Sequence, residues 1–282
     1  MIISQFPSPI VSVDWLSKHI DDPDLIILDA SIKKLTTPEH LASQALQIPT
    51  TRFFDIKKYF SDLDTDLPNM LPTPEHFEKN CKELGINSES KIVVYDTIGI
   101  YSSARVWWMF TIMGHTNVTV LDGGFPAWIK SELPTENKGN NNNYALGNFK
   151  INDHSKCTVD SKEILFEMNS TDSLIIDARS NGRFIGIEPE PRSDLRGGHI
   201  PNSVNLPYTK VLHDGKMLPT EDLFKLFNDF DISNKKLIFS CGSGITACVI
   251  LLAATLCGYS NLWVYDGSWT EWGQLANVPI EC

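Results

Sequence analysis

The strongest constraint on the fold is that the chain repeats itself. Asp24-Leu25-Ile26-Ile27-Leu28-Asp29-Ala30 is matched by Asp172-Ser173-Leu174-Ile175-Ile176-Asp177-Ala178, and Lys91-Ile92-Val93-Val94-Tyr95-Asp96 by Lys236-Leu237-Ile238-Phe239-Ser240-Cys241. A third pair, Val118-Thr119-Val120-Leu121-Asp122-Gly123-Gly124 and Leu262-Trp263-Val264-Tyr265-Asp266-Gly267-Ser268, is followed in each half by a tryptophan, Trp128 and Trp272. The offset of about 144 to 148 residues is that of a duplicated domain, not of a short solenoid repeat. The matched runs are short and apolar, and helical stretches separate them. In the first half, Thr73 caps a helix with Pro74 at its first position, expected over 73–84, and a second is expected over 102–113. In the second half helices are expected over 220–230 and 244–257. This alternation predicts an α/β chain of two tandem domains, each a mainly parallel sheet flanked by helices. The Asn-rich stretch after Leu133-Pro134 has no apolar period and reads as a connector. The expected division is 1–138, a linker at 139–151, and 152–282.

The chain's 282 residues suffice for two such domains, and 42% hydrophobic with 21% charged residues fits a globular protein. A net charge of −11 argues against a nucleic-acid surface, although a few local arginines can reverse the field inside a cleft. The six cysteines form no repeated CxxC pairing, so neither a disulfide framework nor a zinc site is expected, and a reducing compartment fits. The start has neither a secretory leader nor the Arg-rich look of a transit peptide, and the longest apolar run, 247–257, is too short for a bilayer. The cytoplasm is the expected compartment, with the mitochondrion as alternative; no membrane partner is expected.

The chemistry concentrates in Cys241-Gly242-Ser243-Gly244-Ile245-Thr246-Ala247-Cys248, between the apolar run ending at Phe239 and the one beginning at Val249. A thiol there sits where a strand ends and a helix begins, on a loop of small residues. Backbone N–H groups of such a loop, together with the helix N-terminus, make an anion cradle that favours thiolate, so Cys241 is the candidate nucleophile. The first half carries Asp96 in its place and cannot do the same sulfur chemistry. Cys248 is read as core, with a redox partner as the alternative. Cys81, Cys157, Cys257 and Cys282 are read as bystanders, His199 and Asp266 as turn residues, and Trp107, Trp108 and Trp272 as core or interface aromatics.

This loop, in the second of two similar α/β halves, resembles the active loop of the 3-mercaptopyruvate sulfurtransferases, a branch of the tandem rhodanese family. The resemblance extends to Arg105-Val106-Trp107-Trp108-Met109-Phe110, Leu121-Asp122-Gly123-Gly124, Gly182-Arg183-Phe184, Glu188-Pro189-Glu190-Pro191-Arg192, Gly198-His199-Ile200-Pro201 and Tyr265-Asp266-Gly267-Ser268-Trp269. It implies sulfur transfer from an anionic donor through a persulfide on Cys241, with release of pyruvate. The acceptor is a thiol, such as that of a thioredoxin-like protein, or cyanide. Gly242, Gly244, Ile245 and Thr246 complete the loop, Ser243 contacts substrate or assists proton movement, and Arg183 and Arg192 match the substrate-binding arginines. The resemblance implies no metal and no organic cofactor. Thiosulfate-using relatives carry basic residues just after the cysteine; the neutral Gly242 and Ser243 point to mercaptopyruvate.

The resemblance also shows one departure. Relatives carry a histidine before Ile-Pro, and an aspartate further upstream, proposed to work with the loop serine. Here Leu46-Gln47-Ile48-Pro49 puts Gln47 at the histidine position, and the aspartate position falls near Thr36. Gln47 cannot relay a proton as histidine does, so a Ser-His-Asp relay is not expected. Three other functions compete. A cysteine phosphatase would need an arginine where Ala247 or Cys248 stands; a non-catalytic binding module would usually have lost its thiol; a thiosulfate sulfurtransferase differs only in donor.

Overall fold

The computed structural model describes residues 6–32, 45–139, 143–151, 157–230 and 232–282. They form two compact units. The first takes the described residues within Met1–Asp62, Leu71–Ser155 and Asp214–Met217; the second takes those within Leu63–Met70, Lys156–His213 and Leu218–Cys282. Each unit therefore incorporates a short segment from the other half of the sequence.

The first unit is built on a five-stranded parallel sheet in the order Ile10–Val11, Val118–Leu121, Lys91–Tyr95, Leu25–Asp29, Arg52–Phe53. The second repeats the order: Thr158–Val159, Leu262–Tyr265, Lys236–Ser240, Ser173–Asp177, Val204–Asn205. The central strands, Lys91–Tyr95 and Lys236–Ser240, are buried at every residue after the lysine. That is why they read as unbroken apolar runs: both faces of a parallel sheet are covered by crossover helices.

The helix Pro74–Glu83 starts where its cap predicts, with the Thr73 side chain accepting from the His76 amide. Thr220–Asn228 places Leu223 and Phe227 on one buried face, four residues apart. That helix begins at Thr220, as expected, and ends at Asn228, two residues before the expected end. The helix expected from Gly244 begins at Ala247, because Gly244 adopts φ +76°, a left-handed conformation that an α-helix does not admit. Residues 242–246 thus remain loop.

Buried packing repeats the duplication. Trp128 and Trp272 are fully enclosed, and their indole N–H groups donate to equivalent carbonyls, Pro134 at 2.8 Å and Pro279 at 3.0 Å. A buried indole without such a partner costs stability, which explains why each tryptophan is followed by a loop that folds back over it. Trp107 and Trp108 are core residues of Ser102–Ile112.

Candidate active site

Cys241 follows the last residue of the strand Lys236–Ser240. Its carbonyl accepts from the Trp269 amide at 2.9 Å, and the Gly242 carbonyl accepts from the amide and hydroxyl of Thr270 at 2.9 and 2.6 Å. These donors open the short helix Ser268–Trp272, so the loop carbonyls satisfy its otherwise orphaned N–H groups. In a trans peptide the N–H points opposite to the C=O. Fixing these two carbonyls therefore turns the amides of Gly242 and Ser243 away from that helix. Among the described residues, the amides of Gly242, Ser243 and Ile245 donate to no partner.

The thiol is enclosed: Cys241 is 1% exposed, whereas Gly242, Ser243 and Thr246 are half-buried. Ser268 braces it, accepting from the Cys241 amide at 3.2 Å, donating to the Tyr265 carbonyl at 2.8 Å, and standing 4.0 Å from the sulfur. Ser268 does so at φ +50°, a strained conformation for a residue other than glycine.

Ser243 has a partner that sequence reading missed. Asn69, carried by the segment Leu63–Met70 of the same unit, donates its amide nitrogen to the Ser243 hydroxyl at 3.1 Å and to its carbonyl at 3.2 Å. Gln47, expected at the position of the relay histidine, lies in the first unit. There its amide nitrogen donates to Glu136 at 2.7 Å and to the Thr51 carbonyl. Thr36, the other relay position, lies outside the described residues. The 174 residues between Asn69 and Ser243, and the absence of any motif around Asn69 other than a proline-flanked turn, left no signal that pairs them.

The two expected arginines stand in different settings. Arg183, in the short helix Asn181–Phe184, packs against the loop: a Cβ placed on Gly242 would lie 3.2 Å from its Nη2. Its guanidinium is paired with Glu190, which also pairs with the buried Arg179. Arg192 is exposed and forms no ion pair among the described residues. Arg179 is a further residue that sequence reading passed over, and Glu190, quoted there only as part of the stretch 188–192, was given no role of its own; Asp177 and Arg179, two opposite charges at a strand end, are the sign that marks the cluster.

The first unit contains an internal model of what such a loop does. Asp96, at the position equivalent to Cys241, is buried, and its carboxylate accepts from the amides of Ile98, Tyr101 and Ser103, each at 2.9 Å. Burial pushes this carboxyl up, against the lowering pull of those amides. There the strand-to-loop turn is filled by the chain's own anion; in the second unit it follows a sulfur.

The remaining residues behave as structural groups. Cys248 is fully buried and its thiol donates to the Gly244 carbonyl at 3.4 Å. His199 stacks on Phe184 with centroids 3.7 Å apart and is hydrogen-bonded to that residue's carbonyl. Burial raises the Cys81 thiol well above its usual range and Cys257 to about 11, which makes both poor nucleophiles. All six cysteines are free thiols. Among the described residues no group of three His, Cys, Asp or Glu could hold a metal ion, and no helix is long and apolar enough to cross a membrane.

Comparison with known proteins gives the same duplication. The family described as Rhodanese-like domain matches twice, at residues 12–131 and 161–275. The chain is 39% identical to thiosulfate/3-mercaptopyruvate sulfurtransferase 1, mitochondrial, of Arabidopsis thaliana, over 97% of this chain and 78% of that protein. It is 37% identical to the 3-mercaptopyruvate sulfurtransferase of Escherichia coli K12, over 96% of this chain and 97% of that one. The crystal structure of a 3-mercaptopyruvate sulfotransferase from Escherichia coli superposes with a TM-score of 0.81 at 35% identity, covering 93% of this chain and 99% of that one.

Proposed function

The chain belongs to the rhodanese family, with two rhodanese-like domains in tandem, and from that premise we propose that its second unit moves sulfur from 3-mercaptopyruvate to a thiol acceptor through a persulfide on Cys241. One observation carries the reading: the loop after Cys241 leaves the amides of Gly242, Ser243 and Ile245 without partners among the described residues, beside Arg183.

The Cys241 sulfur attacks the donor's sulfur. The new S–S bond forms as the C–S bond breaks, and its electron pair passes to pyruvate enolate, which takes a proton to become pyruvate. The thiol protons of enzyme and donor balance that uptake, so no outside oxidant enters. The loop amides stabilise negative charge on the terminal sulfur, and the Arg183 and Arg192 guanidiniums hold the donor's carboxylate and keto oxygen. An acceptor thiolate, such as that of a thioredoxin-like protein, then attacks the outer sulfur and frees Cys241. Because Cys241 is enclosed, the segments around it part to admit the donor. The cytoplasm suits a chain whose six cysteines are unpaired.

Initial rates with 3-mercaptopyruvate and with thiosulfate, measured side by side, test the donor. Mercaptopyruvate is expected to give the higher kcat/KM, since Gly242 and Ser243 bring no charge for a dianion. Cys241→Ser is expected to lose roughly a thousandfold or more with either donor. Retained turnover in that variant, or a preference for thiosulfate, contradicts the reading.

A further inference from the structure

We propose that Glu190 sets the net charge of the donor site and thereby selects a monoanionic sulfur donor over a dianionic one. The inference rests on the assignment of Cys241 and Arg183 made above, and adds a residue that touches neither sulfur nor donor.

The Glu190 side chain is 1% exposed and accepts from two guanidiniums at once. Its Oε1 receives Arg179 Nη1 at 2.9 Å and Arg183 Nε at 3.2 Å, and its Oε2 receives Arg183 Nη2 at 2.5 Å. Asp177 supplies a second buried carboxylate, accepting from Arg179 Nε and Nη2 at 2.9 and 2.7 Å. Two carboxylates and two guanidiniums thus form one contiguous cluster whose formal charges cancel.

The members are not equivalent. Arg179 is enclosed: it also donates to the Gly198 carbonyl at 2.7 Å and lies 4.2 Å over the Trp269 ring. The Arg183 side chain is 23% exposed and is the member that reaches the loop at Gly242. Its Nε and Nη2 face Glu190, while Nη1 makes no hydrogen bond among the described residues. At Arg183 the donor therefore meets a directional hydrogen-bonding edge whose charge is balanced from behind, which leaves Arg192 to supply the net positive charge for one carboxylate. Within a site screened from water, charge is felt strongly. An unbalanced guanidinium attracts a dianion about twice as strongly as a monoanion; a balanced one gives the dianion little of that advantage.

Glu190→Gln keeps an acceptor for the arginines and removes the charge. The ratio of kcat/KM for thiosulfate to that for 3-mercaptopyruvate is expected to rise roughly tenfold in this variant. Glu190→Asp keeps the charge, so its ratio is expected to stay within about twofold of the parent even if both rates fall. An unchanged ratio in Glu190→Gln, or an equal shift in Glu190→Asp, overturns the proposal and leaves Glu190 with a positioning role alone. Should Glu190→Gln fail to fold, competing anions on the parent decide. Pyruvate is expected to inhibit roughly tenfold more tightly than sulfate, and sulfate binding as tightly as pyruvate overturns the proposal. The parent's turnover of mercaptopyruvate reports separately on the sulfurtransferase reading itself.

Discussion

The amide nitrogen of Asn69 holds both the hydroxyl and the carbonyl of Ser243, at 3.1 and 3.2 Å, across 174 residues of sequence. Asparagine can only donate from that nitrogen, so the serine oxygen is an acceptor there and its own proton is left to donate elsewhere. A neutral amide also adds no titrating group near pH 7. The contact orients the serine and transfers no proton.

Asn69→Ala is therefore expected to lower kcat/KM for mercaptopyruvate roughly tenfold, equivalent to about 1.4 kcal/mol for the lost hydrogen bonds. Adding Ser243→Ala to it should cost little more, because the first change already frees the serine. The four rate constants of this double-mutant cycle check the coupling; fully additive losses contradict it.

Asp96 fills the first unit's loop with its own carboxylate. Asp96→Ala strands the amides of Ile98, Tyr101 and Ser103, and is expected to cost about 2–3 kcal/mol in urea unfolding at neutral pH. Added formate should restore part of that loss by entering the vacated cradle. Unchanged stability shows that these amides find other partners.

His115 is packed against Phe110 and Phe149, and burial lowers its imidazole from 6.5 to about 4. The folded state thus keeps the ring neutral where the unfolded chain protonates it. The resulting stability is whole above about pH 6.5 and is lost as the pH falls toward 4, on the order of 3 kcal/mol in all. Asp96 works the other way, since burial raises its carboxyl and the folded state takes up that proton before the unfolded chain does. Comparing unfolding free energies of the parent and His115→Gln between pH 7 and 4 isolates the histidine. Equal slopes contradict the assignment.

Much of this was legible in the chain because duplication doubles the signal. Apolar runs such as Ile92-Val93-Val94 and Leu237-Ile238-Phe239 announce strands buried on both faces, and their common offset gives the shared strand order. Cys241 and its loop stood out because small residues at a strand end have few structural reasons to be there. Asn69 did not stand out, because it acts across 174 residues and a lone asparagine in a turn carries no period or motif. Ser268 and Glu190 lie within the stretches 265–269 and 188–192 that carry the resemblance, but no spacing in those stretches says that one braces Cys241 and the other pairs with Arg179 and Arg183. The Gly244 start of the helix was misplaced for a local reason: the run that follows is apolar enough to read as helix, while the φ of one glycine decides where the helix begins.

The central claim is that Cys241 carries the transferred sulfur, and mass spectrometry of the intact chain tests it most directly. After brief exposure to 3-mercaptopyruvate with no acceptor present, the chain is expected to gain one sulfur atom, mapped by proteolysis to the peptide containing Cys241, with pyruvate released in equal amount. An unmodified Cys241, or sulfur mapped instead to Cys248 or to any other cysteine, contradicts the account.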